Sequence, residues 1–351
     1  MVGGPYQLEL PFLIMAETPI HAGAAPATQF VDIPIQRDVV TGFPLIKGSE
    51  LKGAFAQKLF YTLGVSEKNY DLAKSMVFGS SPGERGGGAG SFNVLDAHIL
   101  LLPVPSLYGV HAFATCPFML NKFAKRVKGL APKLAEVANS LASAQPADGR
   151  VAVIEENSEL VGKQELLYLH PLVWFKPKRD EAVNDFAERI QQLVKSTPLE
   201  VCKHVAVLSD DAASYVLDHA LLVQPRVRLD YEKKSVKEGP WREEALPRHT
   251  ILNTSIFIAW EGRLRLELSF KSEEERSEAY KRLMEIYERL TKAYSVNFDL
   301  SLSKDYKVKV ALKPSDVVQI LLSDKALILG GDFTVGRGLL RIVEVGGLAA
   351  S

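Results

Sequence analysis

The chain has 351 residues, and its 42 Lys and Arg residues balance 42 Asp and Glu residues. Hydrophobic residues make up 47% of the chain, which excludes a disordered protein because disorder requires low hydrophobicity and high net charge. The neutral charge argues against a uniformly basic surface for nucleic acid, but a local basic groove stays open. Because two cysteines cannot form a disulfide framework, we expect a cytoplasmic protein.

The first part of the chain alternates strand patterns with glycine-rich loops. Residues 7–16 are predicted to form a strand, and Ser49 is predicted to cap the N-terminus of the next helix. The stretch 97–121 has no Asp, Glu, Lys or Arg and is long enough to suggest a membrane span. Its prolines break a helix, so the sequence instead predicts two buried strands and no membrane partner.

The rest of the chain carries helical and extended patterns. Helical patterns occur at 121–144, 180–194, 210–222, 273–294 and 315–322. Residues 223–250 alternate apolar residues with Arg226 and Arg228 and are predicted to form an extended hairpin or arm. Strands are predicted at 251–259, 263–270, 326–329 and 339–345, the first two of them paired with each other. Strands near both ends with helices between them predict an α+β fold whose sheet contains the first and last strands.

A glycine-rich loop, 330–338, lies between the last two predicted strands. Closely spaced glycines let a backbone approach a phosphate without a Cβ clash, and Arg337 within the loop favours an anion. A tight β-turn explains the same glycines equally well. The loop lacks the Lys-Ser/Thr ending of a Walker motif, and the strand that follows it excludes a Rossmann fingerprint.

Three further groups combine titratable or cationic side chains. His21 and Asp32 are candidate catalytic residues, although a lone histidine or aspartate is more often structural. The helix start at 47–53 joins free amides to two lysines, which suits an anion, or else it is a capped surface helix. Glu243 and Glu244 are adjacent on an extended segment, so at most one faces a given site, and solvated surface charge is the usual interpretation.

Several motifs in a fixed order resemble one known family. The motifs are PIHAGA, VDIPIQR, TGFPLIKGSELKGAF, FNVLDAHILLLPVPSLYGVHAFATCP, WREEALP and LGGDFTVGRGLLRI. They resemble the RAMP superfamily of CRISPR proteins and, within it, the repeated backbone subunit of the type III-B (Cmr) RNA-guided effector. The resemblance covers both ends of the chain and is weak over about 121–220.

The resemblance implies a ferredoxin-like (RRM-like) palm with an inserted helical region and a β-hairpin thumb. The expected segments are 1–120 for the first part of the palm, 121–222 for a mainly helical insertion, 223–250 for the thumb and 251–351 for the second part of the palm. Copies of the subunit would stack along one CRISPR RNA as a filament, beside other Cmr-type subunits. Each copy would cut complementary single-stranded target RNA, in an endoribonuclease reaction that depends on a divalent metal ion, Mg²⁺ or Mn²⁺.

The resemblance also implies roles for individual residues. The family's cleavage aspartate falls on Asp32, which would also hold the metal, and its histidine falls on His21. Its acidic residue falls on Glu243, or less securely on Glu244, while Ala245 stands where relatives often carry a tyrosine. The candidate RNA contacts are Arg37, Lys47, Ser49, Lys52, Arg226, Arg228, Gly330, Gly331, Thr334, Gly336, Arg337 and Gly338.

Other functions stay open from the sequence. One is a non-catalytic RNA-binding subunit in which Asp32 caps a turn. Another is a CRISPR RNA-processing RAMP endonuclease that uses His21 in general acid–base catalysis. A small-molecule enzyme on a ferredoxin-like scaffold lacks support because the sequence contains no cofactor motif.

Overall fold

The computed structural model describes most of the chain, in the ranges 6–23, 30–63, 74, 77–79, 90–144, 148–170, 173–230, 232–259, 264–294, 299–303, 305–323, 325–330 and 333–345. The helices of these ranges are α1 (Gly48–Leu63), α2 (Pro117–Val127), α3 (Pro132–Ala144), α4 (Glu181–Leu193), α5 (Asp210–Ala220), α6 (Glu273–Tyr294) and α7 (Pro314–Ser323). The strands are β1 (Tyr6–Ala16), β2 (Leu45–Ile46), β3 (Phe92–Val94), β4 (Ala97–Pro105), β5 (His111–Thr115), β6 (Val151–Ile154), β7 (Leu167–Leu169), β8 (Val173–Arg179), β9 (Val205–Val207), β10 (Leu222–Leu229), β11 (Val236–Ala245), β12 (Ile251–Ala259), β13 (Leu264–Ser269), β14 (Asp299–Ser303), β15 (Lys307–Leu312), β16 (Ala326–Ile328) and β17 (Leu339–Glu344).

The chain divides into two compact units, each assembled from separate parts of the sequence. The first unit combines Met1–Leu10, Leu51–Leu95 and Ser255–Leu327. The second unit combines Pro11–Glu50, Asp96–Thr254 and Ile328–Ser351. The four consecutive segments expected from the sequence stay a prediction.

A large mixed sheet forms the centre of the second unit. Its strands follow the order β17-β1-β12-β4-β5-β9-β6-β8-β7 and include both antiparallel and parallel neighbours. β1 pairs antiparallel with β17, with Phe12 opposite Glu344 and Ala16 opposite Leu340. The predicted mixture of α and β structure is confirmed, and so is the sheet that contains the first and last strands.

The uncharged stretch 97–121 forms β4, β5 and the start of α2. β4 and β5 are mostly buried and pair antiparallel, with Pro103 opposite Phe113. The predicted pair of buried strands is therefore confirmed. Among the helices of the described ranges, none combines the length and the apolar composition that a membrane crossing requires.

The segment 121–222 supplies strands as well as helices. Most of α2, with α3, α4 and α5, lies in it, but so do β6, β7, β8 and β9 of the mixed sheet. The strand Val205–Val207 is three residues long and buried throughout, so it shows no alternation of apolar and polar residues. Periodicity therefore could not reveal such strands in a segment dominated by helical patterns.

The first unit contains a separate three-stranded antiparallel sheet with the order β13-β15-β14. β13 pairs with β15, whereas β12 pairs with β3 through Ile256–Ile258 in this unit. The predicted pairing of 251–259 with 263–270 is therefore wrong. Both segments alternate as strands do, but alternation identifies a strand without identifying its partner.

Candidate functional site

The extended hairpin predicted over 223–250 is confirmed by β10 and β11. These strands pair antiparallel, and Leu222 lies opposite Ala245 at the base of the hairpin. At this base, the outer edge of β11 binds two segments that the sequence singled out, one around Asp32 and one around His21. The hairpin base therefore organises the candidate site.

Asp32 is anchored to the main chain of Arg242. Its amide donates to the Arg242 carbonyl oxygen at 3.1 Å, and its Oδ2 accepts from the Arg242 amide at 2.7 Å. The side chain is exposed and lines a cleft of about 500 Å³. The other lining residues are Phe30, Val223, Pro225, Pro240 and Arg242. The backbone thus fixes one carboxylate oxygen of a group that faces an open cleft.

His21 is anchored two residues further along the same strand. Its Nδ1 lies 2.6 Å from the Glu244 carbonyl oxygen. Because a carbonyl oxygen only accepts, Nδ1 carries the hydrogen, and Nε2 is the basic nitrogen of the neutral ring. Ile20 exchanges two main-chain hydrogen bonds with Leu246, at 3.0 and 2.8 Å. A strand advances about 3.3 Å per residue, so the points that anchor Asp32 and His21 are about 7 Å apart.

Glu243 is the centre of a buried charge cluster, with 2% of its surface exposed. Its Oε2 lies 2.8 Å from Arg226 Nη1, its Oε1 lies 2.7 Å from Arg337 Nη1, and its Oε1 lies 3.7 Å from His21 Nδ1. Arg337 is also buried and donates from Nη2 to Gln224 Oε1 at 2.7 Å. Its Nη1 is close to Glu243 but is not aligned for a hydrogen bond, so that contact is electrostatic. The cluster therefore joins both strands of the hairpin to the glycine-rich loop.

Glu244 is buried as well, with 5% of its surface exposed. Its Oε2 accepts from the Ile35 amide at 3.0 Å, and its Oε1 lies 3.0 Å from Arg37 Nη2. Arg37 also pairs with Asp218. The expectation that Glu243 and Glu244 are solvated surface charges is wrong, because arginines from distant parts of the chain neutralise both carboxylates inside the protein.

The four arginines predicted to contact RNA differ in their exposure and in the carboxylates that they contact. Arg37, Arg226 and Arg337 direct their guanidinium groups at the buried carboxylates. Arg228 has the most exposed side chain of the four, at 64%, and its Nη1 lies 3.4 Å from a Glu238 carboxylate oxygen. Their contacts with RNA stay predictions, while three of them pair with a buried carboxylate and Arg228 pairs with an exposed one.

The glycine-rich loop packs on the segment that carries His21. A Cβ at Gly330 would lie 2.9 Å from the His21 carbonyl oxygen, and one at Gly338 would lie 2.1 Å from the Leu329 carbonyl oxygen. Both glycines have a positive φ, of 79° and 75°. The Gly338 amide also donates to the Pro19 carbonyl oxygen at 2.9 Å. These two glycines therefore serve a tight turn within the protein.

Two other members of the loop face outward. Thr334 and Gly336 are exposed, and a Cβ at Gly336 would meet no atom within 4 Å. These positions are open to a ligand's backbone. Gly331 was also predicted to bind RNA, and it lies outside the described residues.

The start of α1 binds a carboxylate of the protein itself. The helix begins at Gly48, whose amide donates to Asp96 Oδ1 at 2.7 Å, and Lys47 Nζ lies 3.3 Å from Asp96 Oδ2. The predicted N-cap role of Ser49 is wrong, because Asp96 reaches the first amide while Ser49 lies exposed on the first turn. Lys52 is half-buried further along α1 and belongs to the first unit.

Glu50, on the first turn of α1, extends the polar network towards His21. Gln36 Nε2 donates to Glu50 Oε1 at 3.1 Å, while Glu50 Oε2 and Gln36 Oε1 are buried without a hydrogen-bond partner. Burial raises the pKa of Glu50, and the nearby charges of His21 and Lys47 act in the opposite direction. This carboxyl group therefore holds a proton to higher pH than an exposed glutamate does.

The residues that could hold a metal ion do not form a ligand set. In the described ranges, no group of three or more His, Cys, Asp and Glu side chains has the geometry for one. Asp32 offers one exposed carboxylate, whereas Glu243 and Glu244 are paired with arginines. The predicted divalent ion therefore does not fit a site preformed by these side chains.

The sequence analysis missed several partners at this site. Gln224, Asp218 and Asp96 each fix a predicted residue, yet none of them lies in a motif that suggests such a contact. Arg242 carried a signal, because it belongs to the WREEALP motif. The sequence predicted roles for the acidic pair of that motif, whereas the main chain of Arg242 is the group that binds Asp32.

Comparisons with known proteins agree on one family. A family model described as the RAMP superfamily matches residues 13–340. The chain is 29% identical over 248 residues to the CRISPR system Cmr endoribonuclease Cmr4 of Pyrococcus furiosus, which covers 69% of this chain and 78% of that relative.

Solved structures with the same fold include Cmr proteins. A type III-B Cmr-beta complex bound to cognate target RNA contains a chain with a TM-score of 0.63 and 18% identity, covering 98% of this chain and 100% of the other. Oligomeric Cmr4 from Pyrococcus furiosus gives a TM-score of 0.54 and 19% identity, covering 95% and 96% of the two chains. Because the family model spans nearly the whole sequence, the chain belongs to the RAMP superfamily.

Proposed function

We propose that this chain is the backbone subunit of a type III-B (Cmr) CRISPR effector. Copies of it bind CRISPR RNA along a filament with other Cmr subunits, and each copy cleaves complementary single-stranded target RNA. The observation that carries the proposal is that Asp32 and His21 are anchored about two residues apart on the strand that ends the hairpin. The Cmr4 relative is a CRISPR endoribonuclease, and a structurally similar chain was solved with target RNA, which supports the same function.

The proposal assigns family names to the parts of the fold. The hairpin of β10 and β11 is the thumb, and the large sheet belongs to a ferredoxin-like palm into which the helical segment is inserted. A thumb that enters the guide–target duplex displaces a nucleotide from it. The displaced phosphodiester then reaches the in-line geometry that a regular A-form helix forbids.

In the cleavage step, the 2′-hydroxyl of the displaced nucleotide attacks the adjacent phosphorus. The 2′-oxygen forms a bond to phosphorus, the bond from phosphorus to the 5′-oxygen breaks, and the 2′-hydroxyl proton passes to the Asp32 carboxylate. Water held by His21 Nε2 returns a proton to the 5′-oxygen, which leaves a 2′,3′-cyclic phosphate and a 5′-hydroxyl end. Glu243 and Glu244 act as positioning residues, because their carboxylates are held by arginines and are buried from RNA.

The test is target-RNA cleavage by the assembled complex with wild-type and Asp32→Asn subunits. We expect cuts at constant spacing from the wild type and a loss of about 10²- to 10⁴-fold in rate for the variant. CRISPR RNA binding and assembly should be unchanged. Asp211→Asn is the matched control, because Asp211 is an exposed aspartate on the first turn of α5. Chelation tests the expected Mg²⁺ or Mn²⁺ requirement separately, since no step described above passes through the ion.

One observation favours a second candidate, the non-catalytic structural subunit. Asp32 Oδ2 accepts from the Arg242 amide, as a capping carboxylate does. A wild-type complex that binds target RNA without producing spaced cuts, or an Asp32→Asn variant that fails to assemble, decides for this candidate. Metal-independent cleavage of repeat RNA by the isolated chain would instead identify a CRISPR RNA-processing endonuclease.

A further inference from the structure

A second polar cluster in the second unit lies beside the start of α1 and plays no part in the cleavage step. β2 pairs with β4, which brings Lys47 next to Asp96 and places His98 beside them. Lys122, on α2, reaches the same place, with its Nζ 3.2 Å from His98 Nδ1. Two lysines from separate elements therefore contact the start of β4, Lys47 at Asp96 and Lys122 at His98.

Lys122 lacks the partner that a half-buried ammonium normally has. Within the ranges that the structure describes, its hydrogen bond goes to the neutral ring of His98, and no carboxylate oxygen lies within ion-pair distance of its Nζ. Burial lowers the pKa of Lys122 and the positive charge of Arg126 lowers it further, while the more distant carboxylates of Asp38 and Asp96 act in the opposite direction. Burial, Lys122 and Arg126 likewise lower the pKa of His98 to about 4, so the ring is neutral near pH 7. A bound anion would relieve this excess of positive charge.

The other charged groups near Lys122 already have partners within the protein. Arg126 Nη1 donates to the carbonyl oxygen and to the side-chain oxygen of Asn253, at 2.6 and 2.9 Å. Asp96 is occupied by Lys47 and by the first amide of α1. Lys122 therefore remains the cation for which the protein supplies no negative charge at contact distance in the described ranges.

An aromatic pair adjoins Lys122. Its Nζ lies 5.6 Å from the centroid of the Phe118 ring, and the Phe118 and Phe43 rings are 5.7 Å apart with planes at 32°. Phe118 is 37% exposed although it is a large apolar residue on the first turn of α2. A cation beside exposed aromatic rings is the combination with which proteins bind single-stranded nucleic acid, where a phosphate meets the cation and a base stacks on a ring.

We propose that Lys122 and Lys47 bind a phosphodiester of single-stranded RNA and that Phe118 stacks on a base of the same strand. The site rests on the proposed function, and it adds an RNA contact on α2 to the contacts predicted at the start of α1. A protein partner at this surface is the competing occupant. The aromatic ring favours RNA here, because a phosphodiester places a negative charge at contact distance from Lys122 while a base of the same strand stacks on Phe118.

The test measures the affinity of the full chain for a labelled single-stranded RNA by fluorescence anisotropy at several salt concentrations. Lys122→Gln should weaken binding about 5- to 10-fold and reduce the slope of log affinity against log salt by about 0.7. Phe118→Leu should weaken binding by a similar factor and leave the slope unchanged. Lys122→Arg keeps the charge and should retain most of the affinity.

The matched control is Lys125→Gln, which makes the same charge change at an exposed position of the same helix. Equal losses from Lys122→Gln and Lys125→Gln would overturn the proposal, because they would reflect general charge and not a site. Unchanged RNA affinity in folded Lys122→Gln would overturn it too, and lost co-assembly in that variant would assign the surface to a protein. RNA binding that depends on Lys122 without any spaced cleavage would refute the proposed reaction and leave this site standing.

Discussion

Replacement of Arg337 by methionine tests the buried charge cluster directly. Methionine keeps much of the side-chain volume but removes the guanidinium that contacts Glu243 and Gln224. Breaking a buried ion pair costs about 3 to 5 kcal/mol, and Arg226, which stays at 2.8 Å from Glu243, reduces the loss to about 2 kcal/mol. The Gln224 oxygen loses its donor, which adds about 1 kcal/mol. We therefore expect Arg337→Met to lower the free energy of unfolding by about 3 kcal/mol.

Differential scanning calorimetry measures this loss. For a chain of 351 residues, about 3 kcal/mol corresponds to a decrease in Tm of about 4 °C. Arg228→Met is the control, because its exposed pair with Glu238 should contribute less than about 1 kcal/mol. A double-mutant cycle with Glu243→Gln should give a coupling energy above about 1 kcal/mol.

Two results would refute this reasoning. An Arg337→Met variant as stable as Arg228→Met would mean that the guanidinium does not hold Glu243. A variant with an unchanged Tm and weakened RNA binding would return Arg337 to the role of RNA ligand that the sequence predicted. If Arg337 serves to hold Glu243 in the buried charge cluster, the variant should instead have reduced stability together with unchanged RNA affinity in its folded fraction.

Two more predictions concern histidines. In Gly23→Ala, the new Cβ would lie 2.1 Å from His21 Nε2, so the ring must leave the Glu244 carbonyl oxygen. Target cleavage by Gly23→Ala should fall about 10-fold or more, while guide binding is retained. The control is Gly53→Ala, which adds a Cβ in open space and should change neither cleavage nor guide binding. Equal cleavage rates for Gly23→Ala and the wild type would contradict a role for His21. The pKa of His98 falls from 6.5 to about 4 on folding, so the unfolded chain binds the extra proton and stability decreases as pH falls from 6.5 to 4. Between pH 6.5 and 4, calorimetry should show that His98→Gln loses about 1 to 2 kcal/mol less free energy of unfolding than the wild type, a value that allows for the partial exposure of the ring. Parallel curves of unfolding free energy against pH for the two proteins would contradict this prediction.

The sequence predicted the elements that have a strong local pattern. The hairpin over 223–250 follows from alternating residues and the buried strands of 97–121 from an uncharged run broken by prolines. The motifs also identified His21 and Asp32, which the structure anchors two residues apart on one strand. In these cases, the information lies within a few residues of the feature that it predicts.

Two of the failures at the candidate site involve a partner from far along the chain. Ser49 has the side chain of an N-cap, yet Asp96 reaches the first amide from 48 residues away. The acidic pair has the composition of surface charge, but Arg337 comes from a loop near the last strand to neutralise Glu243. Local propensity cannot report such contacts, because tertiary structure determines which distant group is nearest.

The contact between the glycine-rich loop and the His21 segment determines when the site can form during synthesis. The Gly338 amide binds Pro19, and Leu339 binds Thr18 through its amide and carbonyl oxygen. Ribosomes add about 5 to 20 residues per second, so the His21 segment waits about 15 to 60 s for these partners to be made. A nascent chain can therefore anchor both Asp32 and His21 to the hairpin base before the loop that packs on Pro19 and Thr18 has been made. The site that is proposed to cut RNA stays without Arg337 and the glycine-rich loop until residues 330–339 have been made.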